Sequence, residues 1–196
     1  TIGASPTAQF TNTTVCLGSA TQFTDQSTLG VSIWQWDFGD GNTSNQQNPV
    51  HTYASAGNYN VQLIASDASG CTGNTTQTVV VNDNPTAGFN VTTACPGSNV
   101  IINNTSAIGS GTINYNWTMT GATPANSTQT NPIIQYATGG NYTIDLTVTS
   151  DQGCIASATQ AVSIPFMPVP NFTFTDECLG TPNSFTDLST VTNGNI

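Results

Sequence analysis

Along this chain, apolar residues recur at every second position over short runs, and Gly, Pro and Asn separate the runs. In the stretch Asn58-Tyr59-Asn60-Val61-Gln62-Leu63-Ile64-Ala65, the residues Tyr59, Val61, Leu63 and Ala65 fall on one face; Tyr142, Ile144, Leu146 and Val148 repeat the pattern further on. A period of two is the signature of a strand with one buried face. Comparable runs predict strands near Thr7 to Asn12, Thr21 to Asp25, Ser32 to Phe38, Pro49 to Tyr53 and Thr75 to Val81, each with a counterpart later in the chain. No segment sustains a period of 3.6 residues. The pattern is that of an all-β sandwich or barrel.

The later counterparts belong to an internal repeat. Phe10, Phe89 and Phe172 each stand six residues before Cys16, Cys95 and Cys178. From each cysteine the pattern continues in step: Gly18, Gly97 and Gly180, then Phe23, Ile102 and Phe185, then Asp25, Asn104 and Asp187, then Ser27, Ser106 and Ser189. The later half of the unit, with Trp36 or Trp117, Pro49 or Pro132, Tyr53 or Tyr136, Tyr59 or Tyr142 and Cys71 or Cys154, is present twice. The first cysteines are 79 and 83 residues apart, a spacing suited to a small domain. The expected division is residues 1–83, residues 84–165, and residues 166–196 as the start of a third repeat. Asn82-Asp83-Asn84-Pro85 and Pro165-Phe166-Met167-Pro168-Val169-Pro170 form the joints. Proline makes such connectors short and semi-rigid, implying a rod of domains.

The repeat also suggests a disulfide scheme. Cys16 and Cys71 share one repeat and Cys95 and Cys154 the next, so the expected pairs are Cys16 with Cys71 and Cys95 with Cys154. The partner of Cys178 would then lie beyond Ile196. None of the spacings has the short form of a zinc site, and paired cysteines imply an oxidising compartment.

Charge narrows the functions further. The chain has 10 acidic residues, no Lys or Arg and one His, a formal charge of −10. Without cations it cannot make the phosphate contacts that dominate nucleic-acid binding, nor supply an arginine finger, a lysine Schiff base or a basic membrane patch. Thr (35) and Asn (22) furnish the polar faces instead, as expected of strands rather than of disordered chain. No run of about 18 apolar residues is present, so no membrane insertion is expected.

Trp34-Gln35-Trp36-Asp37-Phe38-Gly39-Asp40-Gly41, then Asn48-Pro49-Val50-His51-Thr52-Tyr53, then Gly57-Asn58-Tyr59-Asn60-Val61, preceded by Phe23-Thr24-Asp25-Gln26-Ser27, closely resembles the polycystic kidney disease (PKD) domain family. The second copy is a diverged member, with Thr118-Met119-Thr120-Gly121 where the first has Asp37-Phe38-Gly39-Asp40. The resemblance implies tandem immunoglobulin-like β-sandwiches. It also implies a surface role, since tandem copies with an added cysteine pair are similar to repeats of large surface adhesins of gliding bacteria. Related repeats serve as accessory modules of secreted hydrolases.

Asp37 and Asp40 are the strongest candidate ligands. With Asn42, Thr43 and backbone carbonyls they could partly meet the six to eight oxygens calcium requires. Alternatively both brace a glycine-rich turn. No other cofactor is implied. A Ser-His-Asp triad can be drawn through His51, the sole histidine, but its place in the family motif points to a structural role. Tyr59 and Tyr142 could stack on sugars or form tyrosine corners, and Trp34, Trp36 and Trp117 read as core or near-core residues. The expectation is therefore a non-catalytic structural or adhesive segment of an extracellular or cell-surface protein or filament. Its partners would be other copies of the repeat, or surface polysaccharide or protein. The alternative is a spacer or carbohydrate-binding module of a secreted hydrolase.

Overall fold

A computed structural model describes residues 5–28, 30–176 and 178–192. Among these residues there is no α-helix, in keeping with the all-β expectation. The chain divides into two compact units: Thr1–Pro85 with Ile108–Thr112 and Ser150–Ile155, and Thr86–Ala107 with Ile113–Thr149 and Ala156–Ile196.

The first unit contains β1 (Phe10–Asn12), β2 (Val15–Cys16), β3 (Thr21–Asp25), β4 (Val31–Asp37), β5 (Thr43–Ser44), β6 (Val50–His51), β7 (Gly57–Asp67) and β8 (Thr72–Asn82). One sheet has the order β1-β3-β6 and the other β2-β8-β7-β4-β5. Their inner faces share one core: Phe10 and Phe23 from the first sheet meet Trp36, Val61, Leu63, Ala65, Val79 and Val81 from the second. The alternation along β7 does what its sequence predicts, with Val61, Leu63 and Ala65 fully buried and Tyr59 half-buried at the entry.

The second sequence repeat follows the same plan with β9 (Phe89–Val91), β10 (Asn99–Asn104), β11 (Ile113–Met119), β12 (Ala122–Thr123), β13 (Asn126–Ser127), β14 (Ile133–Tyr136), β15 (Gly140–Ser150) and β16 (Ile155–Ile164). Its sheets run β12-β14-β10-β9 and β13-β11-β15-β16, closing on Phe89, Ile102, Trp117, Ile144, Leu146 and Val148. A last hairpin, β17 (Phe172–Phe174) and β18 (Phe185–Asp187), pairs Phe172 with Asp187 as β1 and β3 pair Phe10 with Asp25. No second sheet accompanies it among the described residues, and Phe172 and Phe185 stay exposed where Phe10 and Phe23 are buried.

The polar repeat positions have a shared physical cause. Asp25, Asn104 and Asp187 each accept the N–H of the serine two residues on, at 3.0, 2.9 and 2.9 Å. Each serine hydroxyl, on Ser27, Ser106 and Ser189, accepts an N–H from the preceding strand region at 3.2, 3.2 and 3.1 Å. An Asx turn thus satisfies backbone groups where the ladder ends. The Asn before each repeated proline, Asn48 or Asn131, likewise accepts the N–H of Asp25 or Asn104 at 2.8 or 2.9 Å. Trp36 and Trp117 are buried with their indole N–H satisfied by the carbonyls of Gln46 and Gln129, both at 2.8 Å.

Candidate functional site

The sequence candidates of the first unit converge on the turn that follows β4. Asp37 Oδ1 accepts the N–H of Gly39 at 2.9 Å. Asp40 Oδ1 accepts the N–H of Asn42 at 3.1 Å, and Oδ2 accepts the Asn42 side-chain amide at 3.1 Å. Gly39 has φ +78°, and a Cβ there would lie 2.7 Å from the Asn60 carbonyl oxygen, so both conformation and space require glycine.

The short strand β6 carries His51 to this turn. Its Nε2–H donates to Asp40 Oδ2 at 2.7 Å, while its ring stacks on Phe38 with centroids 4.3 Å apart and planes 4° from parallel. His51 meets Tyr53 edge-on at 4.6 Å, and Tyr53 stacks on Tyr59 at 4.0 Å. The Tyr53 hydroxyl, fully buried, donates to the Phe38 carbonyl at 3.1 Å. Tyr59 Oη donates to the Ser55 carbonyl at 2.8 Å, and Tyr142 Oη to the Thr138 carbonyl at 2.9 Å, the geometry of a tyrosine corner. Partial burial alone would raise the Asp40 carboxyl, but hydrogen bonds from His51 and Asn42 outweigh it and hold the group below the usual aspartate range. Burial, followed by the nearby Asp40 charge, pushes the Tyr53 phenol up.

In the sequence, Asp25 stands out as a repeat position and as part of the family motif, with no role attached. In the structure its Oδ2 accepts the Trp34 indole N–H at 2.7 Å and the Gln47 amide at 3.4 Å, while Oδ1 serves Ser27. Burial would raise its carboxyl, yet the bonds from Ser27, then Trp34 and Gln47, depress it. The signal that could have assigned the role was the Asp/Asn-x-Ser spacing in all three copies.

The second unit solves the same turn with apolar residues. Met119 and Ile134, both fully buried, stand where Phe38 and His51 stand in the first. Tyr136 still stacks on Tyr142 at 4.0 Å, but its buried hydroxyl has no hydrogen-bond partner among the described residues. Burial, then Tyr142, raises its phenol too.

The cysteines depart from the expected scheme. Cys16 is bonded to Cys154, with Cα atoms 5.7 Å apart, and Cys71, Cys95 and Cys178 are free thiols. The expected pairs, Cys16 with Cys71 and Cys95 with Cys154, are therefore replaced. The reason lies in strand register. Cys16 pairs beside Asn82, the last residue of β8, whereas Cys71 immediately precedes its first residue, Thr72. The 11-residue strand between them spans on the order of 35 Å at about 3.3 Å per residue, far beyond disulfide reach. Cys154, bonded to Cys16, has no thiol to offer Cys95.

Chemically, these groups are committed to one another. The carboxylate oxygens of Asp40 already accept from Asn42 and His51, and no serine hydroxyl bonds His51 among the described residues. Among those residues no three His, Cys, Asp or Glu side chains gather as a metal would require. The arrangement braces a turn and closes one side of a core.

The PKD domain family model matches residues 3–82 and again residues 82–164. A microbial collagenase of Vibrio alginolyticus is 45% identical over 64 residues, 33% of this chain and 8% of that protein. Collagenase ColQ1 of Bacillus cereus is 45% identical over 53 residues, 27% of this chain and 6% of the enzyme. The chain thus spans less than a tenth of the length of these collagenases. Among solved structures, the PKD1 domain of Vibrio anguillarum Epp is 33% identical, with 40% of this chain and 94% of that one covered at a TM-score of 0.37. A C-terminal fragment of intimin, in complex with the intimin-binding domain of its translocated receptor, shares the fold at a TM-score of 0.53 and 15% identity, with 86% and 67% covered. With two successive matches to the family and the motif residues placed in turn, strand and core as described, this chain belongs to the PKD domain family.

Proposed function

We propose that this chain is a non-catalytic accessory segment, a spacer built of PKD repeats, in an extracellular protein whose principal activity resides in other domains. The observation that carries the reading is the local similarity to collagenases, at 45% identity over less than one repeat and only 6–8% of the enzymes. This ranks the spacer reading above the adhesive or filament reading expected from the sequence. Collagen is an extracellular substrate, and the Cys16–Cys154 disulfide suits the same oxidising compartment. The internal commitment of His51, Asp40 and Asp37 supports a bracing role for the one cluster that resembles a site. By the same reasoning Asp37 and Asp40 serve the turn rather than calcium.

Incubation of the purified chain with gelatin, collagen fibres and insoluble polysaccharides, scored for hydrolysis and for co-sedimentation, tests the proposal. No hydrolysis is expected, and the chain is expected to stay in the supernatant. Turnover that disappears in His51→Ala or Asp37→Ala would overturn it.

A further inference from the structure

Three free cysteines occupy the same turns as the two that are bonded. Cys16, Cys95 and Cys178 each open a Cys-x-Gly turn in which the carbonyl of the cysteine accepts the N–H three residues on, at 3.0, 3.0 and 3.1 Å. The glycines Gly18, Gly97 and Gly180 all have positive φ, 86°, 78° and 101°. Cys71 and Cys154 each close the turn after a long strand. The Asp67 N–H donates to the Cys71 carbonyl at 3.0 Å, and the Ser150 N–H to the Cys154 carbonyl at 2.8 Å. The cysteine N–H is returned to the side chain of the same partner, Asp67 Oδ1 at 2.9 Å or Ser150 Oγ at 3.0 Å. The Cys-x-Gly class is therefore built alike in three copies and the post-strand class in two, and the bonded pair joins one member of each. It takes the Cys-x-Gly cysteine of the first sequence repeat and the post-strand cysteine of the second. Bonded Cys154 is buried, while Cys95 is exposed and Cys71 half-exposed.

We propose that Cys71 and Cys95 are halves of further staples of this kind, each taking a cysteine from another copy of the repeat. Cys95 takes the post-strand cysteine of the repeat that follows its own. Cys71 takes the Cys-x-Gly cysteine of the repeat that precedes its own. In an array of such repeats every successive pair is then joined by one disulfide, and none is closed within a repeat because β8 or its counterpart holds the two classes apart. Each bond forms by thiol–disulfide exchange. A cysteine thiolate attacks a low-molecular-weight disulfide such as oxidised glutathione, releasing one glutathione thiolate, and the second cysteine then attacks the protein sulfur of the mixed disulfide and expels the other. Two protein thiols are oxidised and the glutathione disulfide is reduced to two thiols.

The test lengthens the chain by one repeat, residues 1–164 followed by 82–196, with Cys16→Ser throughout. In one version Cys95 is kept only in the earlier copy of the second repeat and Cys154 only in the later copy; in the other version the placement is reversed. After reoxidation in glutathione, chymotryptic mapping is expected to recover the Cys95–Cys154 peptide from the first version at least tenfold more than from the second. Equal recovery, or none from a chain that keeps its strand circular dichroism and cooperative melting, would overturn the proposal. A second measurement does not depend on the lengthened chain. The 196-residue protein, reoxidised as a mixture of light and isotopically heavy copies, should form intermolecular bonds joining Cys71 to Cys95 or Cys178. Cross-links dominated by Cys71–Cys71 or Cys95–Cys95 would refute it.

Discussion

The turn after β4 and the turn after β11 stand at the same place in two copies of one domain, yet they are held by different forces. In the first unit, Asp37 and Asp40 collect backbone and side-chain donors, His51 bridges from β6, and Tyr53 closes the ring through the Phe38 carbonyl. In the second, Met119 and Ile134 fill the equivalent space, and the Met119 N–H reaches the Ala125 carbonyl at 2.8 Å. Both cores are equally closed. The polar network is thus one of two solutions to the same packing problem.

The largest effect that would sharpen this contrast is expected from Gly39→Ala. A side chain at φ +78° costs roughly 1–3 kcal/mol in backbone strain, and the approach of the Asn60 carbonyl adds to it. The melting temperature of the first unit should fall while amide exchange in β15 and β16 stays unchanged. Equal loss of protection in both units would show that the turn matters beyond its own fold.

Next in size is a matched pair of hydroxyl deletions. Tyr53→Phe removes a buried hydrogen bond and should destabilise by about 1–2 kcal/mol. Tyr136→Phe removes a buried hydroxyl without a partner and should be neutral or slightly stabilising. Chemical denaturation of the two variants checks the difference. Equal costs would mean that the Tyr53 bond contributes nothing beyond its burial.

Acid should separate the units more gently. Asp25 and Asp40 have depressed folded-state pKa values, so the stability they contribute is fully present above the ordinary aspartate value of about 4 and is lost as pH falls through their lower folded values. The second unit has Asn104 and Gly121 at those positions and carries no such dependence there. Hydrogen exchange measured from pH 6 downward should show β4 losing protection before β11, and the double variant Asp25→Asn, Asp40→Asn should remove most of that difference.

The smallest expected change is none: millimolar calcium and excess chelator should give the same melting temperature, because Asp37 Oδ1 and both Asp40 oxygens already accept hydrogen bonds within the turn. A rise confined to the first unit would restore the calcium reading.

Much of this was written in local sequence. Strand faces follow from period-two alternation, and the burial of Val61, Leu63 and Ala65 or of Ile144, Leu146 and Val148 needed only that rule. The tyrosine corners, one of two readings the sequence left open for Tyr59 and Tyr142, are equally local, since donor and acceptor lie four residues apart. The role of Asp25 was half legible. Its bond to Ser27 is local, but its bond to the Trp34 indole depends on how β3 and β4 are placed.

The disulfide lay beyond sequence reasoning altogether. Repeat spacing groups Cys16 with Cys71 and says nothing about which end of a strand each occupies. A parallel pairing of β2 with the far end of β8 decides that, while the disulfide itself joins residues 138 positions apart. Local hydrogen bonding and side-chain alternation are properties of neighbouring residues, and the sequence by itself determined them. Which distant sulfurs meet depends on strand register and length, and those exist only once the sheets are assembled.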